Sequence, residues 1–184
     1  MSYNDEFERI EQESRVAAFM RSIPPLFRNA EISDFTEGFQ PKIQQLLEGH
    51  SALILGDNGL GKTHLAWALL KEHRRNGRTV YYGKAQLLLF EIKRQDNPYT
   101  FIDKDLDHDC LVIDEIDKIF ESKADFIYIN YLVDHRYEWG KQTIMLGNGT
   151  REQFITSLGQ SIYSRLRGND GMDIMLTGKD KRVK

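Results

Sequence analysis

Only one cysteine, Cys110, is present, so no disulfide framework can hold this chain together. Its place in the apolar run Cys110-Leu-Val-Ile marks a buried thiol rather than a reactive one. No apolar stretch approaches the roughly 20 residues that span a bilayer. The acidic start, Met1-Ser-Tyr-Asn-Asp-Glu, has none of the basic and apolar pattern of a signal peptide. These absences predict a cytoplasmic protein with no membrane partner. Charge of neither sign dominates: a net charge of −3 gives no global attraction for nucleic acid, so any DNA contact would need a local patch. Repeats and low-complexity segments are missing as well. What remains is 40% hydrophobic and 29% charged, the balance of one ordinary globular domain with room for a substantial core.

Charge is nonetheless uneven along the chain. Asp5, Glu6, Glu8, Glu11 and Glu13 crowd the start, and Lys179-Asp-Lys181-Arg182-Val-Lys184 makes a basic tail. Phe7, Ile10, Ala17 and Met20 recur at helical spacing, which predicts an amphipathic helix over 5–21 that either packs on the domain or docks a partner. Pro24-Pro25 stops it and imposes extended backbone. From Ser51 onward, β-prone runs at 51–56, 79–83, 109–114, 142–147 and 172–176 alternate with helical stretches near 62–75, 84–95, 122–138 and 150–167. Alternation of this kind predicts an α/β fold, five parallel strands with helices on both faces. Asn76-Gly77 and Trp139-Gly140 punctuate two helix ends.

The first of those strands runs directly into Gly56-Asp57-Asn58-Gly59-Leu60-Gly61-Lys62-Thr63, and His64 follows. This is the G-x-x-x-x-G-K-[ST] spacing in its strand-loop-helix setting. Glycines let the loop curl so that backbone N–H groups converge on a phosphate, and the next helix adds its positive N-terminal dipole. Lys62 can reach the β/γ-phosphates of ATP, and the Thr63 hydroxyl can join the shell of Mg²⁺.

A second apolar strand, Cys110-Leu-Val-Ile, ends in Asp114-Glu115 at the ligand-binding edge of such a sheet. Asp114 can orient the metal opposite Thr63, and Glu115 can polarise the attacking water. Paired acids can equally cap the next helix. A third strand ends at Asn148, where an amide could hold water and a γ-phosphate oxygen, although Asn-Gly is also an ordinary turn pair. In Ser161-Ile-Tyr-Ser164-Arg165-Leu-Arg167, a helix presents two arginines. Arg165 in particular can serve a neighbouring subunit's nucleotide in trans; the plainer reading is a solvated basic face.

This order of motifs resembles the AAA+ ATPases, and within them the DnaC/IstB-like family of helicase loaders. Ser22-Ile-Pro-Pro-Leu-Phe-Arg28 through Phe35 is similar to the segment that leads into that family's nucleotide site. Tyr131-Leu-Val-Asp134-His-Arg136-Tyr137 and Gly140-Lys-Gln-Thr-Ile are similar to its helix and sensor strand. The resemblance implies a three-layer P-loop sandwich with no C-terminal helical lid: a lead-in region over 1–40, an ATPase core over 41–178 and the tail at 179–184. It implies Walker A at 56–63, Walker B at Asp114 and Glu115, sensor 1 at Asn148, an arginine finger at Arg165 and a subunit contact for Arg136. It also implies ATP and Mg²⁺ as cofactors, slow partner-stimulated hydrolysis, self-association through Arg165, and a hexameric replicative DNA helicase loaded onto single-stranded DNA.

Lys84, Lys93, Arg94 and the tail lysines are the basic residues available for that DNA, or simply solvated charges. The family's sizeable N-terminal helicase-gripping domain has no counterpart beyond about 20 residues here, so helix 5–21 would be a reduced docking element or docking would need another protein. Rival readings are an IstB-like regulator of transposition on duplex DNA, a P-loop small-molecule kinase, and an ATP-binding protein that sequesters a helicase. No arginine-rich lid is legible between Asp114 and Asn148 to favour the kinase.

Overall fold

The structure, a computed structural model, describes residues 3–35, 39–119 and 122–178. The basic tail at 179–184 lies outside them. Five strands, β1 (Ala52–Leu55), β2 (Val80–Lys84), β3 (Cys110–Asp114), β4 (Gln142–Gly147) and β5 (Met172–Met175), form one parallel sheet in the order β2-β3-β4-β1-β5. Every pairing is parallel, with Ala52 opposite Ile144 on one side and Met172 on the other. Strand side chains alternate between faces, and the two cores divide accordingly. Ala52, Ile54, Cys110, Val112, Ile144, Leu146 and Ile174 face one core; Leu53, Leu55, Leu111, Ile113 and Met145 face the other. Burial pushes the Cys110 thiol up to about 12, which keeps it an unreactive core residue.

Helices cover both faces, giving three layers. α1 (Tyr3–Ser22), α2 (Gln40–Glu48) and α3 (Lys62–Arg75) lie on the first core. α4 (Ala85–Lys93), α5 (Pro98–Asp105), α6 (Lys123–Glu138) and α7 (Arg151–Arg167) lie on the second. Among the described residues no helix follows β5, and no helix is long and apolar enough to cross a membrane. The lead-in segment is part of the core: Ile23, Ala30 and Phe35 are buried beside α3. Lys71 of α3, almost wholly buried, donates to Glu31 at 2.6 Å and to the Arg28 carbonyl at 3.1 Å.

Four details depart from the sequence pattern. The stretch at 84–95 is a strand residue, Lys84, followed by α4, with a separate helix α5 that starts at a capping Asn97 and Pro98. α2 was not expected, because only Ile43 and Leu46 of its nine residues are buried. Pro24 is extended, but Pro25–Phe27 then closes a 3₁₀ turn. In α1, Phe19 and Met20 pack on the core, whereas Phe7 and Ile10 are 61% and 55% exposed. Near its C-terminal end the helix packs on α3, where Phe19 meets Trp67, and further back Gln12 reaches Gly77 just beyond the α3 C-terminus.

Candidate functional site

β1 delivers the chain into the loop at 56–61, and α3 begins at Lys62. Gly56 has φ +145, and a Cβ there would lie 2.4 Å from the Leu176 carbonyl oxygen, so only glycine fits this close approach. The buried Lys62 ammonium donates to the carbonyls of Gly56 (2.7 Å) and Asp57 (2.8 Å) and to Asn148 Oδ1 (2.9 Å). An ammonium has three donors, and here all point into the loop's concavity and towards the tip of β4. Leu60 anchors the loop in the core while Asp57 and Asn58 stand at its exposed rim. His64 sits 2.7 Å from Asp34, and its ring lies near Phe35, which fastens the lead-in segment to the first turn of α3.

Beside the loop, β3 ends in the acids. Thr63 Oγ1 and the Tyr82 hydroxyl both donate to Asp114 Oδ2 at 2.7 Å, and Asp114 Oδ1 accepts from the Glu115 amide. Burial first, and then the Asp114 charge, push the Tyr82 phenol well up, so it stays a donor. Thr63 and Asp114 present hard oxygen donors to each other across the site, which suits Mg²⁺, an ion held by one or two carboxylates together with phosphates and water. Among the described residues no cluster of three or more His, Cys, Asp or Glu side chains that could hold a metal exists, so a cation here would need further ligands from outside the chain.

Glu115 adopts φ +59, an uncommon value for a residue with a side chain. Its carboxylate is held by Lys84 (2.9 Å) at the end of β2 and by Lys118 (3.1 Å). The Lys84 hydrogen bond, outweighing burial and joined by Lys118, keeps its carboxyl below the usual range. Glu115 is therefore an ionised carboxylate engaged by two cations.

Asn148 is fixed from behind: Asp117 accepts from its backbone amide (3.0 Å) and its side-chain amide (2.9 Å). That leaves Asn148 Oδ1 for Lys62. The sheet order explains the meeting, since β4 lies between β1 and β3 and carries its tip between the P-loop and the acids. Lys62, Thr63, Asp114, Glu115 and Asn148 thus share one edge of the sheet. Arg165 does not join them. In the last turn of α7 it borders a small cavity with Gly49, Ser51, Lys141 and Thr143, which lie at the start of β1 and β4. From Ser51 to Gly56 is about 16 Å of extended chain, so Arg165 and its own P-loop lie at opposite ends of the sheet.

Sequence reasoning missed Tyr82, Lys84 as the partner of Glu115, and Asp117. The last had a visible signal, a third acid in Asp114-Glu115-Ile-Asp117. Arg136 requires a correction. Only 1% exposed, it has no free surface for a subunit contact; it donates to the carbonyls of Leu106, His108 and Gln142 and to the Thr143 hydroxyl. Burial lowers its pKa to about 10. Of the basic residues considered for DNA, Lys84 pairs with Glu115, Lys93 pairs with Asp125, and Arg94 lies 5.3 Å over the Phe90 ring.

Comparison with known proteins identifies the family and the fold. Residues 42–164 match the family model described as IstB-like ATP binding protein. The replicative helicase loader DnaC of Escherichia coli (strain K12) is 27% identical over 179 residues, which take in 86% of this chain and 73% of the loader. The uncharacterized protein YdaV of the same strain is 26% identical over 184 residues, 91% of this chain and 74% of that protein. Among solved structures, the DnaC helicase loader superposes with a TM-score of 0.71 at 22% identity, covering 84% of this chain and 100% of that one. The replication initiator DnaA bound to AMPPCP and single-stranded DNA gives 0.68 at 21% identity, over 86% of this chain and 52% of the initiator. At these identities the solved structures speak for the fold alone, and this chain spans about half the length of the DnaA initiator.

Proposed function

Because this chain belongs to the DnaC/IstB-like family of P-loop ATPases, we propose that it binds ATP with Mg²⁺ at the edge built by β1, β3 and β4. In this reading it hydrolyses ATP to ADP and phosphate, and so times the loading of a replicative helicase onto single-stranded DNA in the cytoplasm. The observation that carries this is the convergence of Lys62 and Asn148, and of Thr63 and Asp114, in direct hydrogen bonds. Lys62 would exchange its carbonyl partners for phosphate oxygens, with His64 and the exposed Asp57 and Asn58 at the rim of the site. Thr63 and Asp114 would hold the metal, which supplies charge neutralisation at the phosphates. Glu115 would take a proton from the attacking water once it leaves Lys84, while Asn148 orients that water. Arg165, facing away from its own nucleotide, would complete a neighbour's site in trans. The exposed Phe7 and Ile10 among acidic residues suit docking of the helicase.

Calorimetry tests the first step: Mg²⁺-dependent affinity for ATP is expected, and Lys62→Ala should abolish it. ATPase and co-migration assays with a hexameric helicase and single-stranded DNA test the second. No stimulation and no complex with any such helicase would remove the loader reading. The IstB description of the matching family model favours one alternative, regulation of transposition. Nucleotide-dependent assembly on duplex DNA without helicase binding would select it. A small-molecule kinase finds little support, since among the described residues only a 3₁₀ turn and α6 stand between β3 and β4.

A further inference from the structure

Arg165 is held within a small polar relay rather than projecting freely. α7 is interrupted at Gly159, whose φ is +85. A Cβ at that position would sit 3.4 Å from the Phe126 ring of α6. The segment beyond the break carries Ser161 and Arg165, and polar groups of α6 fix it. Ser161 Oγ donates to Asn130 Oδ1 (2.9 Å), and Asn130 Nδ2 donates to Asp134 Oδ2 (3.1 Å). Asp134 Oδ1 in turn lies 2.5 Å from Arg165 Nε.

Both oxygens of Asp134 are thus committed, one to the scaffold and one to the arginine. Among the described residues Asp134 is the only charged partner of Arg165. Because contact is made through Nε, the two terminal nitrogens of the planar group are left at its outer end. A guanidinium offers those nitrogens as a fork matched to phosphate oxygens. An ion pair exposed to this degree, 39% for the arginine and 32% for the aspartate, contributes little to folding. Its effect falls instead on the direction in which the arginine points.

We propose that Asp134 is a positioning residue for hydrolysis in trans: it aims Arg165 before a neighbouring subunit's nucleotide arrives. This rests on the reading of Arg165 as the group supplied in trans. Without Asp134 the long side chain would sample many rotamers and lose that freedom on insertion, and a misaimed guanidinium stabilises the transferring phosphoryl group less well.

Mixed-subunit ATPase assays separate the two ideas. An acceptor carrying Arg165→Ala keeps its nucleotide site but offers no arginine. A donor carrying Lys62→Ala offers the arginine but binds no phosphate. Stimulated hydrolysis then reports only composite sites. The Lys62→Ala donor should restore the rate, and the Lys62→Ala/Arg165→Ala donor should restore none. The Lys62→Ala/Asp134→Asn donor should restore about tenfold less than the first, and Asp134→Glu in its place should recover most of the loss. If the donor without Arg165 works as well as the others, the arginine reading falls and the proposal falls with it. If that donor is inactive and the Asp134→Asn donor is fully active, only the role of Asp134 is overturned. An Asp134→Asn donor more active than its parent would make the ion pair a brake, also overturning the proposal. So would a collapse of thermal stability in Asp134→Asn, which would mark the residue as structural.

Discussion

Freeing Glu115 from Lys84 should raise the basal ATPase rate. The carboxylate sits between two ammonium groups, at 2.9 Å from Lys84 and 3.1 Å from Lys118, with the two lysines 49% and 50% exposed. Ion pairs of that exposure are each worth about 0.2–1 kcal/mol. Removing the shorter one lowers the cost of swinging Glu115 towards the attacking water by that amount. Since about 1.4 kcal/mol is a factor of ten, Lys84→Ala should increase the population of free Glu115, and the basal kcat with it, by a factor between about 1.4 and 5. Affinity for ATP should hardly change, because both lysines bond to Glu115 rather than to the P-loop lysine or Thr63. Adding Lys118→Ala should raise the rate further.

Phosphate release at saturating ATP, with and without a stimulating partner, measures the effect. Stimulation by the partner should shrink by the same factor, since part of its work has been done in advance. Glu115→Gln in the Lys84→Ala background should abolish the gain. An unchanged or slower Lys84→Ala enzyme with normal nucleotide affinity would refute the reasoning.

His73 is buried and unprotonated, its pKa lowered by burial from 6.5 to about 4. As pH falls below 6.5 the unfolded chain takes up a proton that the native state refuses until about pH 4, so stability is lost across that window, by up to about 3 kcal/mol. Urea midpoints at pH 7 and 4.5 should show the loss, and His73→Gln should remove much of the difference; an unchanged slope in that variant would assign the acid lability elsewhere. Arg136→Ala strands two buried carbonyls and a half-buried one and should cost about 3 kcal/mol or more in urea unfolding; full stability with lost self-association would restore the subunit-contact role. Asp117→Ala should lower kcat about tenfold by loosening Asn148 while leaving ATP binding intact. The double variant with Asn148→Ala should be little worse than Asn148→Ala alone, because the two act as one unit.

The central strands β1, β3 and β4 were legible because each is buried along its whole length, β1 and β3 as short apolar runs, the partly buried edge strands β2 and β5 because they complete the alternation with helices, and the P-loop because its spacing is tied to one backbone shape. α2 was not, because a nine-residue helix with two buried positions leaves no periodicity to read. α5 left a local trace, the Asn97-Pro98 start, but joins α4 in a single helix-prone stretch. Sheet order is a long-range property: nothing local in Gln142–Gly147 says that this strand inserts between β1 and β3, and that insertion is what carries Asn148 to Lys62. Arg136 misled for the same reason. The resemblance implied a subunit contact for it, and only the closure of the chain around 106–108 and 142–143 over it turns it into a buried cap.

The polarity of the sheet restricts how such subunits can cooperate. In a parallel sheet all carboxyl ends lie on one edge, and here that edge holds the P-loop and the acids while Arg165 lies by the opposite edge. A two-fold symmetric dimer joins the same surface patch of both subunits. A patch at either edge would then bring P-loop to P-loop or arginine to arginine. If Arg165 acts in trans through these edges, association is instead head to tail, with the start of one sheet against the end of the next. Heterologous contacts of that kind close into rings or continue as helical filaments, according to the rotation between neighbours. The ATPase rate per subunit should therefore climb with protein concentration and never saturate at a two-fold dimer. A two-fold dimer with the fully stimulated rate would refute the head-to-tail arrangement.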